Sequence, residues 1–283
     1  MSKWNLIVDV ANCTNCNNCT LAVHDEHVGN EFPGYAAEMP KHGHKWIDIE
    51  RRERGQGTMV DVAYVPTMCH HCDDAPCIKA ARDGAVYKRD DGIVIIDPDK
   101  AKGQTQIVEA CPYGAVHWND ALDLPQHWLF DAHLLDTGWR EPRCVSVCPT
   151  GALRAVKSDD ATMQKMIEDE ALEPLRPDLT TRPRVHYKNL WRYTHEFIAG
   201  SVSVERAGVV ECLMGAQVTL RGEAGDPTGQ ETDAYGDFKF DRLAGESGSY
   251  MLEVSALGFE TTQREIVLGE SLNVGEIRLA PLA

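Results

Sequence analysis

CHHCDDAPC at residues 69–77 and CPYGA at 111–115 decide how the first two-thirds of this chain must be read. The first stretch sets Cys69, Cys72 and Cys77 close together, and the second adds Cys111 directly before a proline. Upstream, CTNCNNC at 13–19 repeats the triplet with Cys13, Cys16 and Cys19, and CPTGA at 148–152 repeats the Cys-Pro with Cys148. The two CP-x-GA segments are an internal repeat, as in a duplicated unit. Nine of the ten cysteines lie between Cys13 and Cys148, and only Cys212 falls beyond them.

A cysteine triplet completed by a distant Cys-Pro suits a [4Fe–4S] cluster. In two-cluster ferredoxins the cysteine before proline crosses to the other triplet. The proline stiffens the turn after the ligand. Duplication logic then groups Cys13, Cys16, Cys19 and Cys148 as one set, and Cys69, Cys72, Cys77 and Cys111 as another. Structural zinc is the alternative, since C-x2-C pairs also build zinc ribbons. Two triplets, each with its Cys-Pro, favour cubanes. His70 and His71 read as neighbours of the ligands or solvent-facing residues, and His24 as a hydrogen-bonded surface residue. None of the three is read as a ligand.

Composition narrows the setting. A hydrophobic content of 43% and a charged content of 25% are those of a soluble globular protein. The formal charge of −16 argues against nucleic acid, whose phosphates need clustered Lys and Arg. No apolar run approaches the roughly 18 residues of a membrane span, and the opening MSKWNLIVDV lacks the pattern of an export signal. The expectation is a cytoplasmic protein with no membrane partner, in a reducing compartment where clustered thiols hold metal.

Outward from the cysteines, WNLIVDV (4–10) and WIDIERRE (46–53) read as strands, and GAVYKRDDGIVIID (84–97) as a hairpin around Asp-Asp-Gly. Ser158 is expected to cap a helix running to about residue 172, with Met163, Met166, Ile167 and Leu172 on its apolar side. PLRPDLTTRPRV (174–185) has linker composition. Beyond it, SVSVE, AQVTLRG, DFKFDRL, SYMLEVSA and REIVL are short β-type runs at regular spacing, with Gly and Asp between them. The expected fold class is α+β: a duplicated ferredoxin-like iron–sulfur domain (1–195) followed by a small all-β, transthyretin-like sandwich (196–283). Val218, Leu220, Phe238, Phe240, Leu252 and Val254 should face the sandwich core, Gly236 and Gly248 should sit in tight turns, and Cys212 should be a buried, inert thiol.

The segments IDIERRERG (47–55), CHHCDDAPC (69–77), DGAVYKRDDGIVIIDPDKAKG (83–103), CPYGAVHW (111–118), AHLLD (132–136) and RPRVHYKNLWR (182–192) resemble the iron–sulfur subunits of the dimethyl sulfoxide reductase family of molybdopterin enzymes. Within that family they are most similar to the transhydroxylase branch that acts on polyhydroxylated aromatics. The resemblance implies a heterodimer whose large subunit carries bis-molybdopterin guanine dinucleotide with molybdenum or tungsten and performs the catalysis. This chain would then be a non-catalytic electron-transfer and structural subunit with two [4Fe–4S] clusters.

Where the family's triplets continue to a fourth cysteine, this chain has Val23 and Ala81. A further family cluster would need cysteines at 23, 128, 131 and 144, where the chain offers Val23, Trp128, Asp131 and Cys144. That site is expected to be vacant, with Cys144 as its vestige. The two remaining clusters would each lack their near neighbour, so that only the Cys13 set exchanges electrons with the large subunit or both are partly structural. The small subunit of a resorcinol hydroxylase or catechol dehydroxylase, a free-standing ferredoxin-type carrier, and a purely structural metalloprotein are the other readings.

Overall fold

The run Asn5–Val8 is buried without alternation, which is the signature of a strand covered on both faces. In the computed structural model, which describes residues 1–223 and 226–282, this strand, Lys3–Asp9, is the middle of a three-stranded sheet. Leu153–Ser158 lies antiparallel on one side of it and Val185–Lys188 parallel on the other. Ile7 meets Met163 and Leu172, with Val156, Met166 and Ile167 around them. The helix carrying Met163 is shorter than expected, Asp160–Asp169, and Asp159 rather than Ser158 caps it by accepting from the Thr162 amide at 2.8 Å. Ser158 is spent on the last rung of the sheet, so the next acceptor along the chain takes the capping role.

The chain divides into two compact units, residues 1–51 with 63–190, and residues 52–62 with 191–283. The first unit also holds the expected hairpin, Val86–Lys88 antiparallel to Val94–Ile96. The duplication visible in the sequence is present in the backbone. The short helices Gln106–Glu109 and Arg143–Ser146 each end just before a Cys-Pro. Cys111 N–H donates to Val108 O and Cys148 N–H to Val145 O, three residues back in each case. The turns close on Gly114 (φ 62°) and Gly151 (φ 66°), a left-handed conformation that glycine adopts without steric cost.

In the second unit Gln217–Gly222, Asp237–Leu243 and Gly248–Ser255 alternate buried with less buried residues and so bury one face, whereas the central strand Glu196–Arg206 is buried almost continuously. Glu196–Arg206 pairs antiparallel with Val209–Cys212 and Asp237–Leu243, and parallel with Leu272–Leu279. Facing this sheet is a second one in the order Thr228–Glu231, Gln217–Gly222, Gly248–Ser255, Thr262–Leu268. Val218, Leu220, Phe238, Phe240, Leu252 and Val254 all lie in the shared core with Ile198, Ile266 and Ile277. Gly236 and Gly248 take positive φ at the ends of their strands. Cys212 is exposed, contrary to the expectation of a buried thiol. It ends a strand whose residues are all exposed, so its side chain has no core to enter. No helix among the described residues is long and apolar enough to cross a membrane.

Candidate iron–sulfur centres

Each expected set of cysteines is assembled from separate elements. Cys69 and Cys72 follow the strand Met59–Met68, and His71 between them takes φ 45° to turn the loop. Cys77 sits in the first turn of the helix Pro76–Ala80, where proline at the start is pre-set for helical φ. Cys111 arrives from the repeated Cys-Pro turn. All four border one small pocket, otherwise lined mainly by apolar side chains that include Val94, Ile96 and Val116. A single tetrahedral ion needs its donors within about 2.3 Å of one point. Among the described residues no three His, Cys, Asp or Glu side chains converge that way, and these four thiols border a volume.

The electrostatics of this inner set describe what would fill it. Burial, followed by the neighbouring Cys111 and Cys72, pushes the Cys77 thiol up to about 12. Burial likewise pushes Cys72 to about 11 and Cys69 well above the ordinary range. Burial disfavours the thiolates of Cys69, Cys72 and Cys77 until a cationic core compensates them, and that is the donor chemistry a cubane supplies. The residues present therefore fit such a group.

The outer set is wetter. Cys13 and Cys16 lie in the loop after the strand Lys3–Asp9, which Asn15 and Asn17 turn at φ 58° and 60°. Asparagine tolerates this region better than most residues because its short amide bonds locally, and here Asn17 Nδ2 donates to Asn15 O at 2.9 Å. Cys19 opens the helix Asn18–His27. Cys13 interacts electrostatically with Cys148 and Cys16, and Cys19 with Cys13 and Cys16. Burial pushes Cys19 up to about 11. Cys148 moves the other way: the raising effect of burial is outweighed by hydrogen bonds from the Leu153, Thr150 and Ala152 backbone and the Thr150 side chain. Cys16 is exposed and Cys13 half-buried.

The positions at which the sequence resemblance would place a further cluster hold packed side chains. Val23, Trp128, Asp131 and Cys144 are each no more than 1% exposed. Trp128 packs on Phe130 at 4.9 Å between ring centroids. Asp131 accepts from the Arg143 amide at 2.7 Å and lies 3.6 Å from His27 Nε2. Burial, then Asp131, pushes the Cys144 thiol well up.

The histidines divide. His70 and His71 are buried, not solvent-facing. His70 stacks on Tyr113 at 3.9 Å between centroids, and His71 Nδ1 accepts from the Val94 amide at 3.1 Å. That bond places the neutral ring's proton on Nε2. His24, half-buried, is hydrogen-bonded at Nε2 to His44 O at 3.0 Å, consistent with a surface role.

Sequence reasoning missed the charged clasp on the inner loop. Arg184 N–H donates to His70 O at 2.8 Å, and its guanidinium grips Asp73 with bonds of 2.8 and 2.5 Å. Lys88 Nζ reaches the same loop from the hairpin. The only sequence-level signal was a run of basic residues inside the quoted segments, and spacing alone does not say that their side chains turn inward.

Comparison with known proteins adds an independent line. Residues 60–158 match the model of a 4Fe-4S dicluster domain, and residues 198–280 that of a carboxypeptidase regulatory-like domain. The pyrogallol hydroxytransferase small subunit of Pelobacter acidigallici is 40% identical over 99% of this chain and 100% of that protein. The iron–sulfur subunit of a putative dimethyl sulfoxide reductase from Halobacterium salinarum is 31% identical over 67% of this chain and 80% of its own. Among solved structures, a minor pilin of Streptococcus agalactiae is 16% identical over 38% of this chain and 52% of its own. Its TM-score is 0.27, at which the likeness carries no argument.

Proposed function

Because the chain belongs to the family of iron–sulfur small subunits of molybdopterin oxidoreductases, we propose that it carries two [4Fe–4S] clusters in a heterodimer acting on polyhydroxylated aromatics. The outer cluster is held by Cys13, Cys16, Cys19 and Cys148, and the inner one by Cys69, Cys72, Cys77 and Cys111. The large partner subunit supplies bis-molybdopterin guanine dinucleotide with molybdenum or tungsten, and with it the catalysis. The pair works in the cytoplasm, where clustered thiols stay reduced and available to metal.

The observation that carries this reading is the largely apolar pocket bordered by all four inner thiols. Kinship with a pyrogallol hydroxytransferase small subunit supports the substrate class. A bound [4Fe–4S] cluster stores and passes one electron. The chain's own residues set its surroundings: an exposed Cys16 admits water to the outer set, while Val94, Ile96 and Val116 keep the inner one dry. The second unit, a transthyretin-like sandwich, is a structural addition to the iron–sulfur unit. The packed side chains at Val23, Trp128, Asp131 and Cys144 remove one family neighbour, and the other goes with the missing cysteine run ahead of Cys111, which suits hydroxyl transfer with no net electron flow.

The test is anaerobic purification with the partner, then iron, acid-labile sulfide and zinc per heterodimer, with the partner's own content subtracted. About eight iron atoms with matching sulfide are expected. About twelve would mean that the Val23–Cys144 region binds a further cluster. Zinc in place of iron would overturn the reading. Freeze-quench spectroscopy then asks whether substrate reduces both clusters rapidly, a result that would defeat the argument from missing neighbours.

A further inference from the structure

Lys88 points its ammonium at the backbone of the inner cysteine loop and away from solvent. Nζ donates to His71 O at 2.8 Å, Cys72 O at 3.0 Å and Gly92 O at 2.9 Å, and lies 2.9 Å from Asp73 Oδ1. The side chain is only 20% exposed. Burying an ammonium is costly unless it is paired and hydrogen-bonded, and here its donors are met by carbonyls and one carboxylate. That carboxylate is shared. Asp73 already takes the bidentate grip of Arg184, which also reaches Asp160 at 2.9 Å, while Lys3 lies 2.7 Å from Asp160 and 3.9 Å from Asp73, so two carboxylates face three cations. The loop holding Cys69 and Cys72 therefore sits in a locally positive field.

We propose that Lys88 raises the reduction potential of the inner cluster, acting as a positioning and field-setting residue that does not itself contact the iron. This rests on the assignment of that cluster to Cys69, Cys72, Cys77 and Cys111. Reduction adds one electron, supplied by the partner subunit or by a chemical reductant, and no bond is made or broken. The added negative charge is stabilised by a nearby cation, and hydrogen bonds and charge around the sulfurs are recognised determinants of cluster potential. The burial of Cys72 beside Lys88 means that little water screens the interaction.

The sign is fixed by the arrangement. Lys88→Met removes the cation and leaves the His71 and Cys72 carbonyls without their donor, so the inner midpoint falls. Lys88→Arg keeps the charge and holds the midpoint near that of the wild type. Asp73→Asn removes the anion that Lys88 and Arg184 share, so the midpoint rises.

The experiment is an anaerobic redox titration of the purified heterodimer with dithionite and mediators, read by electron paramagnetic resonance. A Cys111→Ala variant identifies the inner signal by its loss. The expected result is a downward shift for Lys88→Met and an upward shift for Asp73→Asn, with the outer signal unmoved. Both variants leaving the inner midpoint at the wild-type value, or moving both signals equally, overturns the proposal. Should Lys88→Met fail to retain its inner cluster, the direction of Asp73→Asn decides: upward supports the proposal, unchanged or downward refutes it. A wild-type heterodimer with only one cluster in this chain instead removes the assignment on which the proposal rests, and iron analysis separates that failure from the others.

Discussion

Replacing Asp61 with asparagine isolates one charge whose removal should be felt through the second unit. Asp61 Oδ2 accepts from Arg54 Nη2 at 2.5 Å, and Oδ1 accepts from Arg192. The Arg54 side chain is fully buried, with His195 O at 2.6 Å as its other near acceptor and Asp241 Oδ1 at 3.5 Å. Burial pushes the Asp61 carboxyl up, but Arg192 and Arg54 outweigh it and hold the group at about 2, against an ordinary 3.8. At about 1.4 kcal/mol per pH unit the depression corresponds to roughly 2–3 kcal/mol. Asp61 keeps 16% exposure, and solvent screening lowers the figure to about 2 kcal/mol. Loss of one partner from a fully buried pair costs about 3–5 kcal/mol, and the remaining Asp241 and His195 contacts bring Arg54 below that range.

Urea unfolding of the anaerobic protein at pH 7, followed by β-sheet circular dichroism, should show Asp61→Asn less stable by about 2 kcal/mol. For a domain of about 100 residues this is a fall of roughly 8–16 °C in midpoint temperature. The depressed carboxyl contributes its stability in full above pH 3.8 and loses it as the pH falls through about 2, so wild type and variant should converge in acid. The paired change Arg54→Met with Asp61→Leu should recover part of the loss, because the fully buried Arg54 charge no longer stays behind without Asp61, although Arg192 loses its partner. A single Asp61→Asn variant within about 0.5 kcal/mol of wild type would refute the reasoning.

Other expectations are independent of that network. Cys111→Ala should lower the iron content by about four atoms while the outer cluster's signal persists; loss of both signals would contradict separate ligand sets. Trp128→Ala should cost about 3–5 kcal/mol, since the ring is wholly buried against Phe130, and a loss below 1 kcal/mol in urea would show that the site is loosely filled. Gly55→Ala should destabilise by about 2–3 kcal/mol, because φ is +85° and a Cβ would lie 2.2 Å from Met59 O and 2.4 Å from Phe197 Cζ; unchanged unfolding would disprove the clash. Cys212 should be alkylated rapidly in the folded, cluster-loaded protein while Cys144 resists; mass spectrometry finding the reverse would contradict the burial pattern.

The sequence by itself determined the parts of this protein that depend on spacing along the chain. Cysteine triplets and their Cys-Pro partners announce themselves because ligand geometry is local within each run, and the core strands of the second unit announce themselves because a half-buried strand must alternate. The duplicated turn at Cys111 and Cys148 was legible for the same reason. Tertiary structure decided what depends on side chains arriving from distant segments. Which element takes a helix cap changed by one residue, from Ser158 to Asp159, because sheet pairing claimed the serine first. Cys212 turned outward because its strand has no covered face, and no residue pattern around it says so. His70 and His71 became buried because Tyr113, Val94 and Phe130 close over them from other parts of the chain. The clasp of Lys88 and Arg184 on Asp73 joins residues up to 111 positions apart. A charge exposes its role only when its partners are in place, since burial and pairing are properties of the fold and not of the residue.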